Sequence, residues 1–183
     1  MTQQQFIVSV IGTKHINFWK KLEGKDMKYN IEKFDTRWQL TWSFDTDASA
    51  QDIWECLTET SKIRDWFPEL SFDGEHMQFQ LEDNETYELQ VYDFQPHQRL
   101  EMDWFDCRLR YEIDDLGQAR RVGFKEMIPE GFPHPDRDMA GWIMNGYSIE
   151  SLMDKETMPM LDEMLPNILS QVQAIMIKKE QEY

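Results

Sequence analysis

From Arg37 to Ile128 the chain is a succession of short stretches in which apolar and polar residues alternate. Trp38, Leu40, Trp42 and Phe44 alternate with Gln39, Thr41 and Ser43. The same rhythm returns at Met77, Phe79 and Leu81, and again at Tyr87, Leu89 and Val91. It continues through Leu100, Met102 and Trp104, then Cys107, Leu109, Tyr111 and Ile113, and finally Val122, Phe124 and Ile128. A period of two marks strands with one face buried. Turn residues separate the stretches: Asp73-Gly74, Glu82 to Glu85, Gln95-Pro96-His97, Phe105-Asp106 and Asp114 to Gly117. Connections this short join antiparallel neighbours, so the pattern predicts an antiparallel meander with one dry face and one wet face.

Helical signals flank the meander. Ser49 followed by Asp52 is a capping-box pattern, and Ile53, Trp54 and Leu57 supply an apolar face behind it. Thr60-Ser61 should cap a second short helix carrying Ile63, Trp66 and Phe67, which Pro68 stops. Trp66-Phe67-Pro68 is expected to lock these helices onto the sheet edge. Beyond the rigid Gly131-Phe-Pro-His-Pro loop, a helix should begin near Asp136 to Asp138 and present Met139, Trp142, Ile143, Ile149, Leu152 and Met153. Gly141 and Gly146 lie within it. Each disfavours helix by about 1 kcal/mol relative to Ala, which suggests close packing at both. A last amphipathic segment runs from Leu161 to Met176, and Pro166 inside it predicts a kink or boundary. Its apolar face should pack back on its own domain or form a homodimer through the C-terminal helix. Residues 1–33 read as an N-terminal extension packed on the domain. Within them Phe6 to Ile11 is a short strand or buried helix turn, and Ile16, Phe18, Trp19 and Leu22 form a helical face. The main domain then spans 34–154 and an amphipathic tail spans 155–183.

Composition narrows the function. Among 183 residues, 19 Lys and Arg stand against 35 Asp and Glu, a formal charge of −16. That balance argues against nucleic acid and against an anionic membrane surface. No stretch approaches the ~18 apolar residues of a membrane span, so no membrane insertion is expected. The first five residues show no basic leader, and Cys56 and Cys107 are too few for a disulfide framework or a metal quartet. A cytoplasmic setting is the expectation. Twelve Met, 11 Phe and 7 Trp are bulky, adaptable side chains that fill a core or line a cavity.

Chemistry-bearing motifs are scarce. His15, His76, His97 and His134 are scattered, and no zinc-helix, paired-cysteine, calcium-loop or phosphate-loop pattern occurs. No catalytic residue, metal or cofactor is therefore expected. Glu126 stands apart, because the alternation Val122, Phe124, Glu126, Ile128 aims it into the apolar face. A carboxyl group there must be paired, protonated or facing a cavity, unless a bulge turns it outward. It is a candidate polar handle in a ligand pocket, or an acid/base group. Met102, Trp104, Tyr111, Phe124, Trp142 and Tyr147 are the candidate cavity wall, with plain core filling as the alternative.

Three segments carry a family resemblance. Ile53-Trp54-Glu-Cys-Leu57-Thr58 with Ile63-Arg-Asp-Trp66-Phe67-Pro68 resembles the "vW.aLT.p..l..WfP" signature of the START-like (SRPBCC) superfamily. Gln90 to Trp104 resembles the "v.e..Pp.rL..tW" element, and Asp138-Met-Ala140-Gly141-Trp142 the "aaGW...l..L...L" final helix, of the branch related to the activator of the ninety-kilodalton heat-shock protein ATPase. The resemblance covers roughly Phe34 to Asp154, with Gly146 standing where that branch has an apolar residue. It implies an α+β helix-grip fold: a curved antiparallel β-sheet wrapped around a long C-terminal α-helix, with two short helices after the first strand. It also implies a hydrophobic small molecule or lipid held in an internal cavity. The alternatives are a chaperone cofactor or stress-response partner, and a cyclase- or hydrolase-type enzyme using Glu126 and a cavity tyrosine. The scarcity of catalytic motifs favours binding.

Overall fold

The computed structural model describes residues 26–81, 85–157 and 161–182. The elements expected at Phe6 to Ile11 and Ile16 to Leu22 lie outside the described residues. In chain order the strands and helices are β1 (Lys28–Phe34), β2 (Arg37–Thr46), α1 (Ala50–Thr58), α2 (Thr60–Trp66), β3 (Leu70–Phe72), β4 (Met77–Gln80), β5 (Thr86–Leu89), β6 (Val91–Gln95), β7 (Arg99–Trp104), β8 (Cys107–Asp115), β9 (Arg120–Ile128), α3 (Pro135–Met153) and α4 (Leu161–Gln181). The fold is α+β. Six strands form one antiparallel sheet in the order β1-β2-β9-β8-β7-β6, and β3-β4-β5 form a second.

Three details differ from the sequence reading. The two short helices follow the second strand, because Lys28–Phe34 already pairs with β2 along its whole length through a turn at Asp35. The seam drawn after residue 33 therefore falls inside a hairpin. The meander after α2 has seven strands in two sheets, and the chain crosses between them at Gln90, whose carbonyl accepts the Asp103 N–H at 2.9 Å.

Alternation sets the layers. The inward-facing residues of β2, β7, β8 and β9 are buried, from Leu40 and Trp42 through Met102, Leu109 and Phe124. Their neighbours form a charged ladder on the outer face, with Arg110 on Glu101 at 2.7 Å and Arg121 on Asp45 at 2.7 Å. Pairs of opposite charge directly across a ladder favour one register. At the helix starts the two short elements behave differently. Ser49 Oγ accepts the Asp52 N–H at 3.1 Å as a capping box should. Thr60 does not cap α2; its hydroxyl donates to Phe72 O at 2.9 Å and accepts from Phe72 N at 3.0 Å, clamping α2 to β3.

Helix α3 lies against the inner face of the sheet, and its two glycines play different parts. A Cβ on Gly146 would stand 2.5 Å from Met27 Sδ and 2.9 Å from Trp42 Cε2. The missing side chain lets the Trp42 ring approach the helix, where its Nε1–H donates to Trp142 O at 3.0 Å. At Gly141 a Cβ would meet nothing within 4 Å, so the close packing expected there is not found. Glu150, one turn beyond Gly146, accepts the Asp26 and Met27 N–H groups at 2.8 and 2.9 Å and so fastens the start of β1 to α3.

Helix α4 runs through Pro166 as a single element. Its Met164, Ile168 and Val172 are buried, and Tyr29 of β1 donates its hydroxyl to Gln171 at 2.7 Å. The face offered as a homodimer contact is thus covered by the chain's own α3 and β1.

Candidate functional site

Glu126 sits two residues before the end of β9, opposite Leu40 on one side and Leu109 on the other. No bulge interrupts the ladder there, so its side chain points inward and is 0% exposed. The first turn of α3 brings Asp138 over it. Cys107 opens β8 after the two-residue turn Phe105-Asp106, in which Phe105 is left-handed at φ 51°. One donor atom from each of Cys107, Glu126 and Asp138 lies within 4.8 Å of the others. Trp104, paired with Cys107 in the ladder, donates its indole N–H to Asp138 Oδ1 at 3.0 Å. Both Glu126 oxygens and Asp138 Oδ2 are buried, and among the described residues no group outside this carboxyl pair hydrogen-bonds to them; a protonated Glu126 donates to Asp138.

The electrostatics follow from that crowding. Burial first, and the facing Asp138 second, hold the Glu126 carboxyl well above the ordinary carboxylate range. Burial and then the Glu126 charge push the Cys107 thiol up. On the same face, two residues along β8 from Leu109, Tyr111 keeps a buried hydroxyl with no partner, and burial raises it too.

Met102, Trp104, Tyr111, Phe124, Trp142 and Tyr147 are all buried. Five of the candidate residues line one aromatic interior with Phe67 and Trp42. Trp142 meets Trp104 at 5.0 Å and Phe124 at 5.4 Å, and Tyr111 meets Phe124 at 5.0 Å, with Met102 on the same face of β7. Phe67 stacks its edge on Trp142 at 5.8 Å. These rings contact one another across the interior between the sheet and α3. Tyr147 does not join them. Five helical residues turn the side chain by about 140° from Trp142, so it faces Tyr29 and Glu150 instead.

Among the described residues, hollows of about 240 to 760 Å³ open on the surface. Met102, Trp104, Tyr111, Glu126, Trp142 and Tyr147 line none of them. The largest, about 760 Å³, lies between the end of β2, α1, α2 and the C-terminal end of α3, lined by Thr46, Cys56, Lys62, Leu152 and Lys155 among others. A smaller one, about 240 Å³, reaches Cys107 beside Arg37 and Arg108.

Sequence reasoning missed Cys107, Asp138 and Phe67 as partners of this interior. A lone cysteine reads as a small hydrophobe, and an acid in a first helical turn reads as a complement to the helix dipole. The pairing of Trp104 with Cys107 is a property of the ladder, and only the crossing of α3 brings Asp138 to both.

A curved antiparallel sheet closed by a long helix, with two short helices set before the meander, defines the helix-grip class. No family model matches the chain, and no curated protein matches it in sequence. Solved structures do. A conserved protein of unknown function from Enterococcus faecalis is 22% identical, with a TM-score of 0.75 over 91% of this chain and 98% of that one. CalU16 from Micromonospora echinospora is 15% identical, with a TM-score of 0.61 over 81% and 96%. The Aha1 dimer from Colwellia psychrerythraea is 13% identical, with a TM-score of 0.54 over 63% and 95%. At these identities the likeness is one of fold. No helix among the described residues is long and apolar enough to cross a membrane.

Proposed function

We propose that this helix-grip domain binds a hydrophobic small molecule or lipid, admitted through the hollow between α1, α2 and the end of α3. The observation that carries this reading is the lining of that hollow. Cys56 lines it, the Cys56 carbonyl accepts the Trp66 indole N–H at 2.9 Å, and the Trp66 ring meets Tyr111 at 6.5 Å. A hollow of about 760 Å³ falls in the size range of small-molecule sites. Behind it lies an interior of aromatic rings with one buried, unpartnered hydroxyl. Such a hydroxyl costs about 1–3 kcal/mol, which a ligand oxygen accepting its proton recovers. Phe67, half-buried on the short loop after α2, is the ring that yields as the ligand's apolar end enters.

Titration with a fluorescent fatty acid, read by energy transfer from tryptophan, tests the reading. The expected result is saturable binding of one molecule per chain. Leu152→Arg, which closes the mouth, should weaken it at least tenfold. Tyr111→Phe should weaken it by roughly 2- to 12-fold, the worth of one neutral hydrogen bond. No saturable binding, or equal affinity in wild type and Leu152→Arg, would overturn it.

A further inference from the structure

We propose that Cys107, Glu126 and Asp138 form a binding site for a divalent transition-metal cation of the zinc class, with one thiolate and two carboxylates as ligands and a fourth position open. This goes beyond the ligand reading above and rests on other atoms. Three donors converge from three elements: the start of β8, the last third of β9 and the first turn of α3. Their donor atoms all lie within 4.8 Å of one another. Zinc bonds of about 2.3 Å to sulfur and 2.0–2.2 Å to oxygen, arranged tetrahedrally, set donors about 3.3–3.6 Å apart. Small side-chain rotations close that gap.

The buried oxygens point the same way. Glu126 is fully buried, and among the described residues no group outside the cluster hydrogen-bonds to its oxygens or to Asp138 Oδ2; without a metal these oxygens have only each other. Buried polar groups are ordinarily hydrogen-bonded, and buried charges are paired or bound to metal. Asp138 is divided in the manner of a metal ligand. Its Oδ1 is held by the Trp104 indole N–H at 3.0 Å, which orients the carboxylate and leaves Oδ2 turned to the cluster. A hollow of about 240 Å³, lined by Cys107 and Arg37 among others, opens on the surface beside the cluster. The donor set selects the ion. Calcium and magnesium take oxygen ligands alone, whereas a thiolate with carboxylates suits zinc or cobalt. On binding, the protons of the thiol and carboxyl groups leave to solvent as the metal–ligand bonds form.

The test uses the full chain without an affinity tag, stripped with a chelator and titrated with cobalt(II), then with zinc(II) as competitor. One equivalent of cobalt should produce a thiolate-to-cobalt charge-transfer band in the near ultraviolet with intense visible bands of tetrahedral cobalt, and zinc should bleach both. Cys107→Ser should abolish the near-ultraviolet band, while Cys56→Ser should retain it. Asp138→Asn should weaken zinc binding at least tenfold, and Glu126→Gln, a substitution of nearly equal volume, should do the same if Cys107→Ser does not fold. Zinc should raise the melting temperature of the wild type and leave Glu126→Gln unmoved. A band that persists in Cys107→Ser, no charge-transfer band at all, or equal zinc stabilisation in wild type and Glu126→Gln would overturn the site. The last outcome would leave the cluster as a proton-sharing carboxyl pair beside a neutral thiol.

Discussion

Two glycines five residues apart in one helix should respond to alanine with opposite signs. At Gly146 the added Cβ meets Met27 Sδ at 2.5 Å, Trp42 Cε2 at 2.9 Å and Trp42 Cδ2 at 3.1 Å. The sulfur sits on a flexible chain and can move aside. The indole cannot, because it is stacked on Phe124 at 4.9 Å and tied to Trp142 O at 3.0 Å. Overpacking of this kind costs about 1–3 kcal/mol. Displacing the indole loosens a hydrogen bond worth about 1 kcal/mol. Against this stands the gain of about 1 kcal/mol from replacing Gly by Ala inside a helix. The balance for Gly146→Ala is a loss of roughly 1–3 kcal/mol, or a melting temperature lowered by roughly 2–12 °C in a chain of this size. For Gly141→Ala no atom lies within 4 Å, so the propensity gain stands alone and the protein should be stabilised by about 0.5–1 kcal/mol. Urea unfolding and calorimetry measure both. A Trp42→Ala background removes both clashing ring carbons and should relieve most of the Gly146→Ala penalty in a double-mutant cycle. If Gly146→Ala is as stable as Gly141→Ala, or if Trp42→Ala relieves nothing, the packing argument is refuted.

Further expectations concern buried acids. In the metal-free protein the folded-state affinity of Glu126 for its proton is raised above the ordinary value of 4.5. Such a group favours the folded state fully below 4.5 and loses that contribution as the pH rises through its raised folded value. Unfolding free energy followed against pH should therefore fall on the alkaline side, and Glu126→Gln should flatten that slope; an unchanged slope would count against a buried inward carboxyl. Glu150→Ala should release the Asp26 and Met27 amides at a cost of about 1–3 kcal/mol. Hydrogen exchange of Lys28 to Phe34 should then rise far more than that of β8, and uniform exchange across the sheet would contradict the latch.

The strands most legible in the sequence are those whose inner residues are all large. β2, β7, β8 and β9 carry Trp, Leu, Met, Phe and Tyr at alternate positions, so period two stands out. β1 escaped because Ile31 is its one fully buried side chain, and an edge strand on a flank needs no more. The break at Gln90 was hidden for the opposite reason. Tyr87, Leu89 and Val91 keep the alternation going across a change of sheet, and a polar residue between them looks like any outward position. In the site, the inward aim of Glu126 follows from its parity with Phe124 and Ile128. What surrounds it does not, because Cys107 and Asp138 reach it through strand pairing and helix docking. Parity also says which rings face inward but not whether they meet, and here they meet.

The ladder joining β2 to β9 has a consequence for synthesis. Trp38 pairs with Ile128 and Thr46 with Arg120, so every bond in that ladder spans more than half of the sheet's chain length. β1–β2 and β7–β8–β9 are local and can form as they emerge. At a translation rate of about 5–20 residues per second, β2 waits roughly 4–18 s for its partner. During that interval the face of Trp38, Leu40, Trp42 and Phe44 has no cover from β9 or α3. A nascent chain stalled before Arg120 would hold its most aromatic strand open to solvent, and release of the chain past Met153 is what lets the sheet close over it.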